Sequence, residues 1–165
     1  ENIEDVKKFN ELSLNTMRIL TVHSDKSFNI LLAAQRIGAH GNYVDNISCG
    51  GSSARIDVET GRVIPPFYTN AFQKIDTTQL GWKNEWNNCK EGFVIPYWTE
   101  TVEMLKKAAQ VIPEIHIVGW DVAITPNGPV LIEGNESCDT DVLQYYFSSK
   151  EEGLKFKIQE MLKRI

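Results

Sequence analysis

Apolar and polar positions along the chain recur at spacings that divide it into short elements. Ile3, Val6, Phe9 and Leu12 return every three residues and predict the tail of a helix over 3–13. Residues 16–22 (TMRILTV) read as a strand, Asp25-Lys26-Ser27 as a turn, and 28–37 as a second, apolar strand, together a hairpin. Residues 38–53 carry four glycines and little periodicity, so a loop is expected. A second hairpin is predicted from 53–58 and 62–67 around Glu59-Thr60-Gly61, with Pro65-Pro66 as its end. The stretch 69–95 is the least regular. It sets Trp82 and Trp86 among polar residues, the mark of a loop that packs down on the fold. Thr99 suits an N-cap, with Glu100 and Glu103 early and Lys106-Lys107 late, in a helix running to about Val111 and stopping before Pro113. Two further strands, 116–125 and 129–135, meet at Pro126-Asn127-Gly128, where Asn-Gly is a strong hairpin signal. Leu154, Ile158, Met161 and Leu162 mark a closing helix over about 150–165. The class is therefore α+β: one domain over 1–165 with a mainly antiparallel sheet and flanking helices.

Composition narrows the functions. The 165 residues include 17 basic and 22 acidic side chains, a formal net charge of −5, which repels a phosphate backbone and argues against nucleic acid. No apolar run approaches the roughly 20 residues that span a bilayer. Three cysteines (Cys49, Cys89, Cys138), widely spaced and odd in number, make neither a disulfide framework nor a zinc site and fit a reducing cytoplasm.

The chemistry concentrates in the segment 119–135, GWDVAITPNGPVLIEGN. A turn centred on 126–128 sets Asp121 opposite Glu133, roughly 5 Å apart at Cβ. Glu133 and Asn135 share a face because side chains alternate along a strand. Two carboxylates and an amide oxygen then converge, and a cation is the natural neutraliser. All-oxygen ligation without Cys or His favours Mg²⁺. The same spacing also suits acids that merely solvate an edge hairpin. Apolar neighbours on each acid, and Gly134 between two candidate ligands, favour the cation.

This hairpin resembles the carboxy-terminal metal-binding hairpin of ATP-grasp ligases, and the chain is most similar to the sugar-transfer-associated ATP-grasp family. The likeness continues in 15–22 (NTMRILTV), Arg36-Ile37-Gly38, 44–51 (VDNISCGG), Asp57-Val58-Glu59-Thr60-Gly61 and Ile95-Pro96-Tyr97-Trp98. The resemblance implies a Mg²⁺ (or Mn²⁺) site on Asp121, Glu133 and Asn135 against the phosphates of ATP, with Arg18 as the catalytic arginine on the transferred phosphate. It implies carboxylate activation by phosphoryl transfer and ligation to an amine or other nucleophile, with cell-surface polysaccharide biosynthesis as a setting. It also implies a small-molecule acid as partner, and an adenine-binding half upstream of this segment, to which 1–14 is a helical lead-in. The 165 residues alone are expected to be inactive. Where the family tends to continue N-x-x-P-G after the metal asparagine, Glu136-Ser137-Cys138-Asp139 stands here, so the acceptor stays open.

Residues 46–52 (NISCGGS) form a small-residue loop whose backbone N–H groups suit an anion. A comparable loop in related ligases lies over the substrate, which makes Asn46, Gly50, Gly51 and Ser52, with Arg36 at a strand end, candidate substrate contacts. An ordinary connecting loop and a solvated arginine are the plainer readings. His23, His40 and His116 lack metal spacing, and Cys49 has no basic neighbour to activate it. Two other functions compete with the ligase: a non-catalytic module that keeps the fold, and a metal-dependent nuclease. Asn135 in the position of a nuclease lysine, and the net negative charge, count against the latter.

Overall fold

The computed structural model describes residues 1–39, 41–69, 93–138 and 154–163. Two hairpins and a strand pair build one antiparallel six-stranded sheet: β1 (Thr16–Ser24), β2 (Ser27–Ile37), β3 (Ser52–Ile56), β4 (Val63–Thr69), β5 (Ile117–Thr125) and β6 (Gly128–Asn135), in the order β4-β3-β2-β1-β5-β6. The first strand thus lies at the centre, with the acid-bearing hairpin beside it. Among the described residues three α-helices accompany the sheet: α1 (Glu4–Lys7), α2 (Trp98–Ala109) and α3 (Leu154–Leu162). The α+β expectation holds.

Alternation along the strands sends two apolar sets to opposite faces. Met17, Ile19, Ala33, Ile56, Val118, Trp120 and Val122 join Leu105 and Ala109 of α2 in the larger core. Leu20, Val22, Leu32 and Ala34 face the other way, where Ile158 and Met161 of α3 pack on them. Helix α2 is amphipathic, burying Trp98, Thr101, Leu105 and Ala109 at helical spacing. It starts one residue before the expected cap at Thr99, after Tyr97 in a left-handed conformation (φ 57°). The Trp98 indole explains this start: its Nε1 donates to the Val58 carbonyl at 3.1 Å, tying the helix to the β3–β4 turn. The helix also ends at Ala109, two residues short of Val111.

Two expectations need correction. The helical lead-in over 1–14 contracts to the single turn of α1. Beyond it Asn10 and Asn15 commit their side chains to backbone carbonyls instead, Asn10 to Gly38 and Ala39 and Asn15 to Val6 and Asn10. Pro65-Pro66 does not end β4, which runs on to Thr69. β4 is an edge strand, where a residue without an N–H costs no ladder bond on its open side, and its register against β3 shifts between Ser53 and Arg55. Trp82, Trp86, Cys89, His40 and most of the irregular stretch lie outside the described residues, as do the ends of the closing helix. Among the described residues no helix is long and apolar enough to cross a membrane.

Candidate metal and phosphate site

The site is assembled by register. Arg18 of β1 pairs with Asp121 of β5, and Asp121 pairs with Glu133 of β6, so all three side chains leave one sheet face. Arg36 lies two residues beyond Ala34, the β2 partner of Arg18, and joins the same face. The Asp121–Glu133 pairing owes itself to a bulge. The turn has two residues, Pro126-Asn127, and with a regular ladder would set Asp121 against Ile132. A register shift between Asp121 and Val122 brings up Glu133 instead.

Asp121 is 4 % exposed and carries three donated bonds. Arg18 reaches Oδ1 through Nε and Oδ2 through Nη2 (3.1 Å), and Arg36 Nη1 donates to Oδ2 at 3.0 Å. Arg36 Nη2 donates to Asp45 Oδ1 at 2.7 Å, and Asp45 Oδ2 accepts from the Thr16 amide (2.7 Å) and hydroxyl (2.6 Å). Two buried carboxylates and two guanidiniums thus alternate in one charge-balanced row. Burial alone would disfavour the Arg18 charge, but the hydrogen bond and charge of Asp121 outweigh it and raise its pKa.

Glu133 is exposed at the open end of the row. Asn135 Nδ2 donates to its Oε1 at 2.9 Å, and Asp121 is its register partner on β5. The Asn135 bond, helped by the charges of Arg18 and Arg36, holds the Glu133 carboxyl below the usual carboxylate range although burial opposes it. Among the described residues no group of three or more His, Cys, Asp and Glu forms a metal cluster. The donor set that converges here is two carboxylates and an amide. Its oxygens are hard, and a half-turn of the Asn135 amide exchanges Nδ2 for Oδ1. The set fits a divalent cation such as Mg²⁺ that keeps waters.

A family model, sugar-transfer associated ATP-grasp, matches residues 1–161. The chain belongs to the sugar-transfer associated ATP-grasp family. No curated protein matches it. As an ATP-grasp chain it carries an ATP-dependent, ligase-like function in outline, and the face holding Arg18, Asp121 and Glu133 is where its residues suit phosphate chemistry.

The remaining predicted contacts divide. Arg36 joins the acids, as just described. Asn46 lies in the neighbouring loop, where its carbonyl accepts from the Cys49 (3.0 Å) and Gly51 (3.2 Å) amides, while Gly50 N–H donates to Ile47 (3.0 Å). The loop closes as a 3₁₀ turn, Ile47–Cys49, so these N–H groups serve it internally and do not form the anion cradle that its composition predicts. Gly50 (φ 87°) is its left-handed cap. Gly51 is needed for closeness: a Cβ there would stand 2.8 Å from the Asp45 and Asn46 carbonyls. Ser52 pairs with Ile37 and faces α2, away from Arg36; Ser53, opposite Arg36, is on the site's face. Gly134 makes room for the Trp120 ring, 2.8 Å from where its Cβ would be, rather than for a ligand. Asp45 was not singled out by sequence reasoning. Its one signal is an acid beside Asn46 in an otherwise small, neutral loop.

Proposed function

We propose that this chain is the metal- and phosphate-holding half of an ATP- and Mg²⁺-dependent ligase that activates a carboxylate by phosphoryl transfer. The observation that carries the reading is the register that sets Asp121 directly opposite Glu133, two carboxylates on one sheet face with Arg18 on the adjoining strand. Glu133 adds a negative charge beside the balanced row of Asp121, Arg18, Arg36 and Asp45, and a divalent cation would neutralise it. Asp121, Glu133 and Asn135 hold Mg²⁺, which when bound neutralises the phosphate charge. Arg18 presents Nε and Nη2 as a fork suited to a phosphoryl oxygen pair. A substrate carboxylate attacks the terminal phosphorus, ADP leaves, and an amine or other nucleophile displaces phosphate from the acyl phosphate. Adenine binding calls for residues beyond those of this face, and the family's description, sugar-transfer associated, supports an acceptor connected with sugar transfer, with cell-surface polysaccharide assembly as the setting we propose.

Mn²⁺ titration followed by electron paramagnetic resonance tests the metal site directly. Binding by the chain and its loss in Glu133→Gln are expected; equal binding by both would remove Glu133 from the site. In the complete catalytic unit, hydroxylamine should trap the acyl phosphate as a hydroxamate when ATP and the right acid are present. A binding module without turnover is the second reading, favoured by one observation: Asp121 is already neutralised by two guanidiniums. It predicts metal binding with no hydroxamate from any acid.

A further inference from the structure

Three N–H donors converge on the two oxygens of Asp121, from Arg18 Nε, Arg18 Nη2 and Arg36 Nη1. An ionised carboxylate offers about four lone-pair sites. Glu133 is the β6 register partner of the same residue and shares its sheet face. Arg36 is held only at its two ends, by Asp121 (3.0 Å) and Asp45 (2.7 Å), while its Nε–H is buried with no partner among the described residues. A buried N–H left unpaired is uncommon, and one on a guanidinium is a donor waiting for an acceptor.

We propose that Asp121 keeps Arg18 and Arg36 in reserve, so that the anion site they form opens when the acid pair takes up a divalent cation. The ligand class is a phosphoryl oxyanion. The proposal rests on reading Asp121 and Glu133 as the cation site. Without a cation, the charge of Asp121 both occupies the guanidinium donors and repels a second anion. Once Asp121 turns its lone pairs to a divalent ion, its hold on both arginines weakens and positive charge is left in excess. Arg18 Nε and Nη2, Arg36 Nη1 and the orphaned Arg36 Nε are then free for an oxyanion that restores the balance. Asp45 retains the far end of Arg36, so the guanidinium pivots there rather than leaving the site. Both effects act in one direction, and linkage makes them reciprocal: the anion must tighten the cation by the same factor.

The test is calorimetric titration of the 165-residue chain with inorganic phosphate, with and without saturating Mg²⁺. Coupling between two sites commonly spans about 5- to 150-fold, and Mg²⁺ should tighten phosphate within that range. The Asp121→Asn variant separates this device from simple bridging of phosphate by the ion. It lacks the negative charge and keeps one accepting oxygen, so its hold on both arginines is weakened and it should bind phosphate more tightly than wild type in the absence of metal, with no further gain from Mg²⁺. Metal-free binding equal to or weaker than wild type overturns the proposal. Should that variant fail to fold, the wild-type chain still decides. Addition of Mg²⁺ should shift the hydrogen-bonded Arg18 Nε–H resonance, and an unmoved signal while Mg²⁺ binds is a refutation. Absence of Mg²⁺ binding would remove the proposed function along with this inference. Mg²⁺ binding that leaves phosphate affinity unchanged would remove the inference alone.

Discussion

Asp45→Ala probes the joint between the glycine loop and the charged row. Asp45 is 5 % exposed and accepts from the Thr16 amide, the Thr16 hydroxyl and Arg36 Nη2. A hydrogen bond to a carboxylate contributes about 1.5 kcal/mol or more, so the three together come to roughly 4.5 kcal/mol. Arg36 is 14 % exposed in its side chain, and water reaching it recovers part of its share. The expected loss is therefore about 3 kcal/mol, with Asp45→Asn losing roughly half because one amide oxygen still accepts. Urea unfolding with an unchanged slope measures it, and the thermal midpoint should fall by about 10 °C. A loss below about 1 kcal/mol for Asp45→Ala would show that the row is not held from the loop side, and the pivot assigned to Arg36 would lose its anchor.

Three other outcomes are expected. Arg18→Lys replaces a two-point donor by a point charge and should lower turnover of the complete catalytic unit at least tenfold at saturating ATP and Mg²⁺, since one transition-state contact is worth ~2 kcal/mol; unchanged turnover removes Arg18 from the mechanism. Gly134→Ala sets a methyl against the Trp120 ring and should cost about 1–3 kcal/mol by urea unfolding, although the residue is exposed; a neutral result would mean that the indole yields freely. The Thr60 hydroxyl and amide hold the Asp57 carboxyl below its ordinary 3.8. A depressed carboxyl stabilises the fold above its unfolded value and loses that contribution as pH falls through the folded one. Thr60→Val should therefore raise the Asp57 value seen by carbon NMR and flatten the stability profile below about pH 4; an unmoved value refutes the assignment.

Elements whose sequence carries its own punctuation were legible. Both early hairpins and the acid hairpin lie where alternation and turn residues set them, and Arg18 falls on the strand beside Asp121 as the resemblance implies. What escaped depends on tertiary position. Pro65-Pro66 ends a central strand but is tolerated at an edge, and nothing local says which β4 is. Gly51 reads as a substrate contact and Gly134 as a sign of a nearby cation, whereas the space at the first is closed by the loop's own carbonyls and at the second by Trp120. The N–H groups of 49–51 looked free because a 3₁₀ closure leaves little mark in four small residues. Asp45 needs Thr16 and Arg36 to be meaningful, and both are distant in the chain until the sheet forms.

The bulge opposite Asp121 separates the position of the acids from the length of the turn. A three-residue turn with a regular ladder would give the same Asp121–Glu133 pairing as the two-residue turn with its extra residue. Deletion of Ile132 alone would restore a regular ladder behind the two-residue turn and still set Asp121 against Glu133, and a residue added within the turn would lengthen the loop without moving that pair. Relatives of this chain should therefore differ by one residue within this hairpin while keeping the two acids paired. Alignments that hold Asn127-Gly128 fixed will misplace the acid by one position in such cases, and those anchored on the two carboxylates will not.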